Sequence, residues 1–177
     1  MGTERGRPRA CKAAAALPWV KTLGRIVSSD ETKAIETAEI LADAAGITIE
    51  IDERGHENDR SATGFLPPPE FEKAADWFFA HPEESFHGWE RAVDAQSRIV
   101  SVVEAALADH DPTIPIAFIG HGGVGTLLRC HLGGMPIARS HDQTGGGGNL
   151  YAFRLSDRLL LTGWVVMETW QGLSEQL

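Results

Sequence analysis

The sequence has 177 residues but only two cysteines, Cys11 and Cys130, and it contains no long apolar run. Two cysteines cannot build a disulfide framework, and unpaired thiols are typical of a reducing compartment such as the cytosol. A membrane-spanning helix needs ~20 consecutive apolar residues, and no stretch of the sequence comes near that length. We therefore expect a cytoplasmic protein without a membrane partner.

Positive charge is also scarce. The chain carries 16 basic and 25 acidic side chains, which give a formal net charge of −9. An acidic protein repels the phosphates of nucleic acid, so we expect no nucleic-acid partner. Hydrophobic residues make up 42% and charged residues 23% of the chain, ordinary proportions that exclude a disordered or fibrous protein. The length suits a single domain over residues 1–177.

The pattern of apolar residues predicts strands that alternate with helices. Short strands are predicted at residues 25–27 and 47–51, and the continuous apolar run at 114–119 is typical of a central strand buried on both faces. Helices are predicted at 6–23 with a break at Pro18, from a Ser29 or Asp30 cap to Gly46, and at 70–80, 89–107 and 124–132. Residues 150–155 and 159–166 are predicted to form a hairpin. This order indicates an α/β fold with a largely parallel sheet.

Two strand-to-helix turns carry the residues best suited to binding. The first is Ser28-Ser29-Asp30, and the second is Gly120-His121-Gly122-Gly123. Parallel strands end at the same edge of a sheet, which is where open α/β folds bind ligands. Helix N-termini at that edge offer free N–H groups and a positive dipole end, both of which attract anions such as phosphate. His121 beside such a terminus can donate a hydrogen bond to a phosphate oxygen.

The second turn also fits a dinucleotide-binding pattern. Gly120, Gly122 and Gly125 have the spacing G-x-G-x-x-G, and Asp142 follows about twenty residues later. The pattern requires a second parallel strand that ends at the acidic residue, and residues 136–141 make a poor strand. A dinucleotide-binding oxidoreductase is therefore the less favoured alternative.

Taken in order, the two turns resemble the motifs of the histidine phosphatase (phosphoglycerate mutase-like) superfamily. Residues 28–38 match the family's spacing of Ser-Ser, a basic residue, Ala and Thr-Ala, and residues 116–123 match its apolar strand that ends in His-Gly-Gly. Residues 3–7 resemble its Leu-Thr/Ser-x-x-Gly stretch. The resemblance implies a three-layer α/β sandwich, with a mostly parallel central sheet between helices and residues 53–87 as the variable insert or lid.

The same resemblance implies the activity of a phosphatase. Such an enzyme hydrolyses a phosphorylated small molecule through a phosphohistidine intermediate, with no metal and no cofactor. His121 would stabilise charge on the transferring phosphoryl oxygens, and Ser29 and Gly122 would bind phosphate. Lys33 would take the place of the family's second phosphate-binding arginine, without the two-pronged guanidinium. The general acid would come from the loop at 53–64, with Glu57 as the first choice, Asp59 as the second and Glu53 as the third.

One defining feature of the family is absent, because the sequence contains no Arg-His-Gly motif. The histidine of that motif would be the nucleophile, and none of the seven histidines here easily replaces it. We therefore expect an impaired or inactive chain, with Met1 a late or misassigned start or a front segment removed. We also expect the first, central strand to be missing, compensated by residues 1–10 or by a homo-oligomer. A non-catalytic protein that binds phosphate or a partner is the main alternative.

Overall fold

The computed structural model describes the backbone of residues 6–173 and the side chains of residues 11–173. The elements in chain order are α1 (Gly6–Ala15), α2 (Pro18–Lys21), β1 (Arg25–Ser28), α3 (Thr32–Ala45), β2 (Ile49–Ile51), α4 (Pro68–Ala80), α5 (Ala92–Leu107), β3 (Ile116–Ile119), α6 (Gly122–Leu132), β4 (Asn149–Leu150) and β5 (Val165–Val166). Short 3-10 turns cover Glu53–Gly55 and Arg139–His141. Among the described helices, none is long and apolar enough to cross a membrane.

The predicted helices are present, with shifted ends. Helix α3 buries one face, and its buried residues are Ala34, Thr37, Ala38, Leu41 and Ala42. It ends at Gly46, as predicted, because glycine adopts the left-handed φ of 71° at little cost. The predicted cap at Ser29 or Asp30 is wrong, since Glu31 holds the N-cap position and makes no side-chain capping bond there.

Three parallel strands form the main sheet in the order β2-β1-β3. Strand β1 lies at the centre, where Ile26 is fully buried and pairs with Ile49 on one side and Ala117 on the other. The prediction of a fully buried central strand at 114–119 is wrong. Among the described residues β3 pairs only with β1, and its four residues are half-buried. A continuous apolar run does not reveal how many of a strand's edges are paired.

Helices cover both faces of this sheet. On one face, Ala117 and Ile119 of β3 pack against a core built by α2, α3 and Ile26. On the other face, Ile116 and Phe118 pack against the core shared by α4, α5 and α6. Successive β3 residues thus enter opposite cores, as the two-residue period of a strand requires. The predicted α/β fold, a small parallel sheet between helices, is confirmed.

The C-terminal hairpin is present but shorter than predicted. Strands β4 and β5 pair antiparallel over two residues each, and one further bridge joins Phe153 to Leu160. Between them the carbonyl of Ala152 accepts hydrogen bonds from both Leu161 and Thr162. Two residues of one strand thus lie opposite one residue of the other, which is the pattern of a β-bulge. A bulge interrupts the hydrogen-bond ladder of the hairpin.

Arg25, the first residue of β1, ties three elements together. Its guanidinium donates two hydrogen bonds of 2.8 Å to the Glu50 carboxylate of β2. A third hydrogen bond of 2.8 Å reaches the carbonyl of Ala106 in α5. This two-pronged pairing holds the pKa of Glu50 below its ordinary value.

Two expectations fall partly outside the described residues. The structure does not describe residues 1–5, which cover part of the family-like stretch at 3–7 and half of the compensating segment at 1–10. From Gly6 onward the chain belongs to helix α1.

Candidate functional site

The two strand-to-helix turns meet at one edge of the sheet. Ser29 follows β1 and His121 follows β3, and these strands are parallel neighbours. The Ser29 N–H donates to the carbonyl of Ile119 over 3.1 Å. The Ser29 hydroxyl oxygen lies 2.8 Å from His121 Nε2, and Ser29 is buried. The structure therefore brings together two of the residues predicted to bind phosphate.

A carboxylate that the sequence analysis did not single out also contacts this histidine. Glu31 Oε2 lies 2.7 Å from His121 Nε2 and accepts the backbone N–H of Glu57 over 2.9 Å. An ionised carboxylate only accepts hydrogen bonds, so in this contact Nε2–H of His121 would be the donor. Nothing in the sequence marks Glu31 beyond its place two residues after Ser29.

Glu57, the first choice for general acid, caps helix α6. Its Oε2 accepts the N–H of Gly123 and its Oε1 accepts the N–H of Val124, each over 2.8 Å. A Cβ at Gly123 would lie 2.6 Å from Glu57 Oε1, so glycine permits this close approach. The first N–H groups of a helix have no acceptor within the helix. Glu57 provides an acceptor for two of those N–H groups in α6. In this geometry Glu57 acts as an acceptor at a positive helix end.

The loop that carries Glu57 is held by Arg98 of α5. The Arg98 guanidinium donates to the carbonyl of Arg54 over 2.6 Å and to that of His56 over 2.8 Å. It also forms a two-pronged pair with Glu90, over 2.7 and 3.0 Å. The side chains of Arg98 and Glu90 are only 16% and 19% exposed, so the pair is partly shielded from water. This network fixes the backbone from which Glu57 reaches α6.

The other predicted phosphate ligands lie close by along the chain. Lys33 is exposed in the first turn of α3, two residues after Glu31. Gly122 is the first residue of α6, and a Cβ there would lie 2.6 Å from Gln143 Nε2. Asp59, the second choice for general acid, has its pKa held below the ordinary value by hydrogen bonds from the side chain and backbone of Ser61. A lowered pKa opposes proton donation at neutral pH.

These loops surround an open depression of about 570 Å³, which we call the acidic depression. Its lining consists of Asp30, Glu31, Glu53, Arg54, His56, Glu57, Asn58, Asp59 and Arg60. All three candidates for the general acid line it, and Glu31 connects it to His121. Within the part of the chain that the structure describes, no three His, Cys, Asp or Glu side chains are grouped to hold a metal ion.

The dinucleotide-binding pattern lacks structural support. Between α6 and Asp142 the described chain forms a 3-10 turn at Arg139–His141 and no strand. Asp142 is occupied locally, because its Oδ1 accepts from the Thr126 hydroxyl over 3.0 Å and from the backbone N–H of Gln143 over 2.8 Å. The acidic residue thus holds the loop after α6 in place.

Comparison with known proteins adds to this geometry. The family model of the histidine phosphatase superfamily (branch 1) matches residues 3–158. No curated protein gives a significant match. The solved structure titled mycobacterial hydrolase 1 is 26% identical, with a TM-score of 0.64, over 76% of this chain and 68% of that chain.

Two further solved structures share the fold. A mycobacterial glucosyl-3-phosphoglycerate phosphatase, solved with inorganic phosphate, is 22% identical with a TM-score of 0.68, over 94% of this chain and 88% of that chain. YhfR of Bacillus stearothermophilus is 22% identical with a TM-score of 0.67, over 94% and 86%. Since the family model covers most of the sequence, and the sequence motifs meet at one sheet edge, the chain belongs to the histidine phosphatase superfamily.

Proposed function

We propose that this chain binds the phosphoryl group of a phosphomonoester at His121, in a fold that serves phosphomonoester hydrolysis. The observation that carries the proposal is the 2.8 Å contact between Ser29 Oγ and His121 Nε2, which joins the two family-like motifs. Both residues follow neighbouring parallel strands, at the edge of the sheet where open α/β folds bind ligands. Membership of the histidine phosphatase superfamily supports the same chemistry.

In the complete reaction, a histidine attacks phosphorus, the bond from phosphorus to the ester oxygen breaks, and the leaving alcohol takes up a proton. Water then hydrolyses the phosphohistidine. The Nε2–H of His121 would donate a hydrogen bond to a phosphoryl oxygen and stabilise the negative charge that develops there. This sequence has no Arg-His-Gly motif to supply the attacking histidine. We therefore propose that the chain binds phosphate and turns substrate over slowly or not at all.

Phosphate must compete with Glu31 for His121. The Glu31 side chain is 46% exposed, so it can move from Nε2 into solvent without leaving a buried charge. Of the three predicted proton donors, Glu57 already caps α6, and Asp59 has a lowered pKa. Glu53, which also lines the acidic depression, is therefore the carboxylate that we favour for protonating the leaving oxygen.

Calorimetric titration of the whole chain with inorganic phosphate tests the binding step. We expect saturable binding that weakens at least ten-fold in His121→Ala and is unchanged in His131→Ala, an exposed histidine of the same helix. Equal affinity in both variants would place the phosphate elsewhere.

A phosphatase assay with an aryl phosphate tests the expected impairment. We expect the aryl phosphate to be hydrolysed at a rate close to that of the uncatalysed reaction in buffer. Rapid turnover that disappears in His121→Ala would show that this chain contains a nucleophile despite the absent Arg-His-Gly motif, and would remove the non-catalytic alternative.

A further inference from the structure

We propose that Gln143 is a further phosphate-binding residue of the site at His121, and that its side-chain amide donates a hydrogen bond to the phosphoryl group. The inference rests on the proposed function, since it places the phosphoryl group at His121. Gln143 belongs to the loop that follows α6, and no motif of the sequence marks it.

The path of this loop brings Gln143 to the first turn of α6. Asp142 Oδ1 accepts from the buried Thr126 hydroxyl over 3.0 Å and from the backbone N–H of Gln143 over 2.8 Å. From this position the side chain of Gln143 extends to Gly122, where an added Cβ would lie 2.6 Å from Gln143 Nε2. Gly122 directly follows His121, so the amide lies at the same edge of the sheet as that histidine.

Asn149 fixes the orientation of the Gln143 amide. Its Nδ2 donates to Gln143 Oε1 over 2.9 Å and to the carbonyl of Gly146 over 2.8 Å. Because the oxygen of the amide accepts from Asn149, the nitrogen is the atom that faces Gly122. Among the described residues, Gln143 Nε2 has no acceptor of its own. The contact with Asn149 therefore holds the loop through Oε1 alone and leaves the two N–H donors of Nε2 unused.

A ligand can reach this nitrogen. In the described part of the chain, the side-chain nitrogens that lack a partner and are shut off from solvent are those of Trp19, Asn58 and Arg129. Gln143 is half-buried, and its unpartnered Nε2 is not one of these atoms, so Nε2 keeps surface that is open to solvent.

The number of donors suits a phosphoryl group, which presents three strong acceptor oxygens. His121 Nε2 and Gln143 Nε2 are two of the donors at this edge. The backbone N–H of Gly122 is a third, because Glu57 caps only the next two N–H groups of α6 and no described residue accepts from Gly122. Each of the three oxygens would then have a donor from the chain.

Calorimetric titration with inorganic phosphate tests the role of Gln143. Gln143→Met removes the donor at similar length, and should weaken binding by about three- to ten-fold, the range for one neutral hydrogen bond. Gln143→Glu keeps the oxygen that Asn149 holds but places a negative charge beside the phosphate, so it should weaken binding roughly ten-fold or more. The matched control Gln171→Glu adds the same charge at an exposed glutamine, whose Nε2 donates to the carbonyl of Thr169, and should leave the affinity unchanged.

A spectroscopic measurement on the unaltered chain separates binding from a structural role. In proton–nitrogen correlation spectra, the side-chain amide signal of Gln143 can be assigned by its absence in Gln143→Met. This signal should shift as phosphate is added and should saturate with the calorimetric affinity, whereas the amide signal of Gln171 should stay in place. A glutamine that only supports the loop through Oε1 would give no such shift.

Asn149→Asp tests the positioning of the amide. A carboxylate only accepts hydrogen bonds, so Asp at this position would draw Gln143 Nε2 away from Gly122. Phosphate affinity should fall as in Gln143→Met, and the double variant should bind no more weakly than Gln143→Met alone.

The outcomes distinguish this inference from the proposed function. If phosphate binding depends on His121, but Gln143→Glu binds as tightly as Gln171→Glu and the amide signal of Gln143 does not move, the inference is overturned and the proposed function stands. If the folded chain does not bind phosphate, both are overturned.

Discussion

Replacing Glu57 by alanine should destabilise the protein by about 2 kcal/mol. The substitution removes both acceptors of the Gly123 and Val124 N–H groups. Loss of an N-terminal cap costs ~1 kcal/mol. A negative charge at a helix N-terminus adds ~0.3–1 kcal/mol when exposed and up to ~2 kcal/mol when partly buried. The Glu57 side chain is only 19% exposed, which supports a value above the exposed range.

Urea denaturation followed by circular dichroism measures this effect. For an m-value of ~2 kcal/mol/M, a loss of about 2 kcal/mol lowers the midpoint by about 1 M. Glu57→Gln keeps one oxygen acceptor but places an NH2 group against the second N–H, so it should lose about half as much.

Glu39→Gln, on the exposed face of α3, is the matched control and should change stability by less than ~0.5 kcal/mol. A midpoint for Glu57→Ala within 0.2 M of the wild type would refute the capping role. Such a result would mean that Glu57 contributes no more to stability than a solvated loop carboxylate.

Three other substitutions test the remaining contacts. Glu31→Gln should tighten phosphate binding several-fold in calorimetry, because the carboxylate on His121 Nε2 is gone. Glu50 has a folded pKa lowered chiefly by the hydrogen bond from Arg25, so its stabilising effect is present above the unfolded pKa and is lost as pH falls through the folded one. In Glu50→Gln the melting temperature should therefore fall less steeply as the pH is lowered from about 5 to 3. Arg98→Met should speed amide hydrogen exchange in the loop whose carbonyls it holds.

Each of these has a result that would contradict it. Unchanged phosphate affinity in Glu31→Gln would mean that the carboxylate does not compete at His121. A melting profile for Glu50→Gln with the slope of the wild type would show that its pairing with Arg25 does not contribute to acid sensitivity. Exchange that stays slow in Arg98→Met would place the stability of the loop in other contacts.

The elements with a local signal were predictable from the sequence. The alternation of strands and helices, and the end of α3 at Gly46, depend on residue spacing and backbone preference within one segment. That β3 pairs only with β1 among residues 6–173 was not predictable, since the apolar pattern at 114–119 does not indicate which strands pair with it.

The candidate site also contains contacts that the sequence predicted and contacts that it did not. Motif spacing predicted that Ser29 and His121 belong together, because both follow parallel strands. The contact of Glu31 with His121, and the reach of Glu57 across to α6, arise from a loop path that no local pattern encodes. Whether Lys33, Gly122 and Glu57 act as predicted on a substrate remains a prediction.

The Arg25 pairing has a consequence for engineering the protein. Arg25 begins β1 and Ser29 directly follows its last residue, and a strand rises ~3.3 Å per residue, so the two sites are about 13 Å apart. Substitutions at positions that far apart usually add independently. The end of the sheet near Arg25 and Glu50 can therefore be redesigned for heat or acid tolerance without altering the residues around His121 at the opposite end.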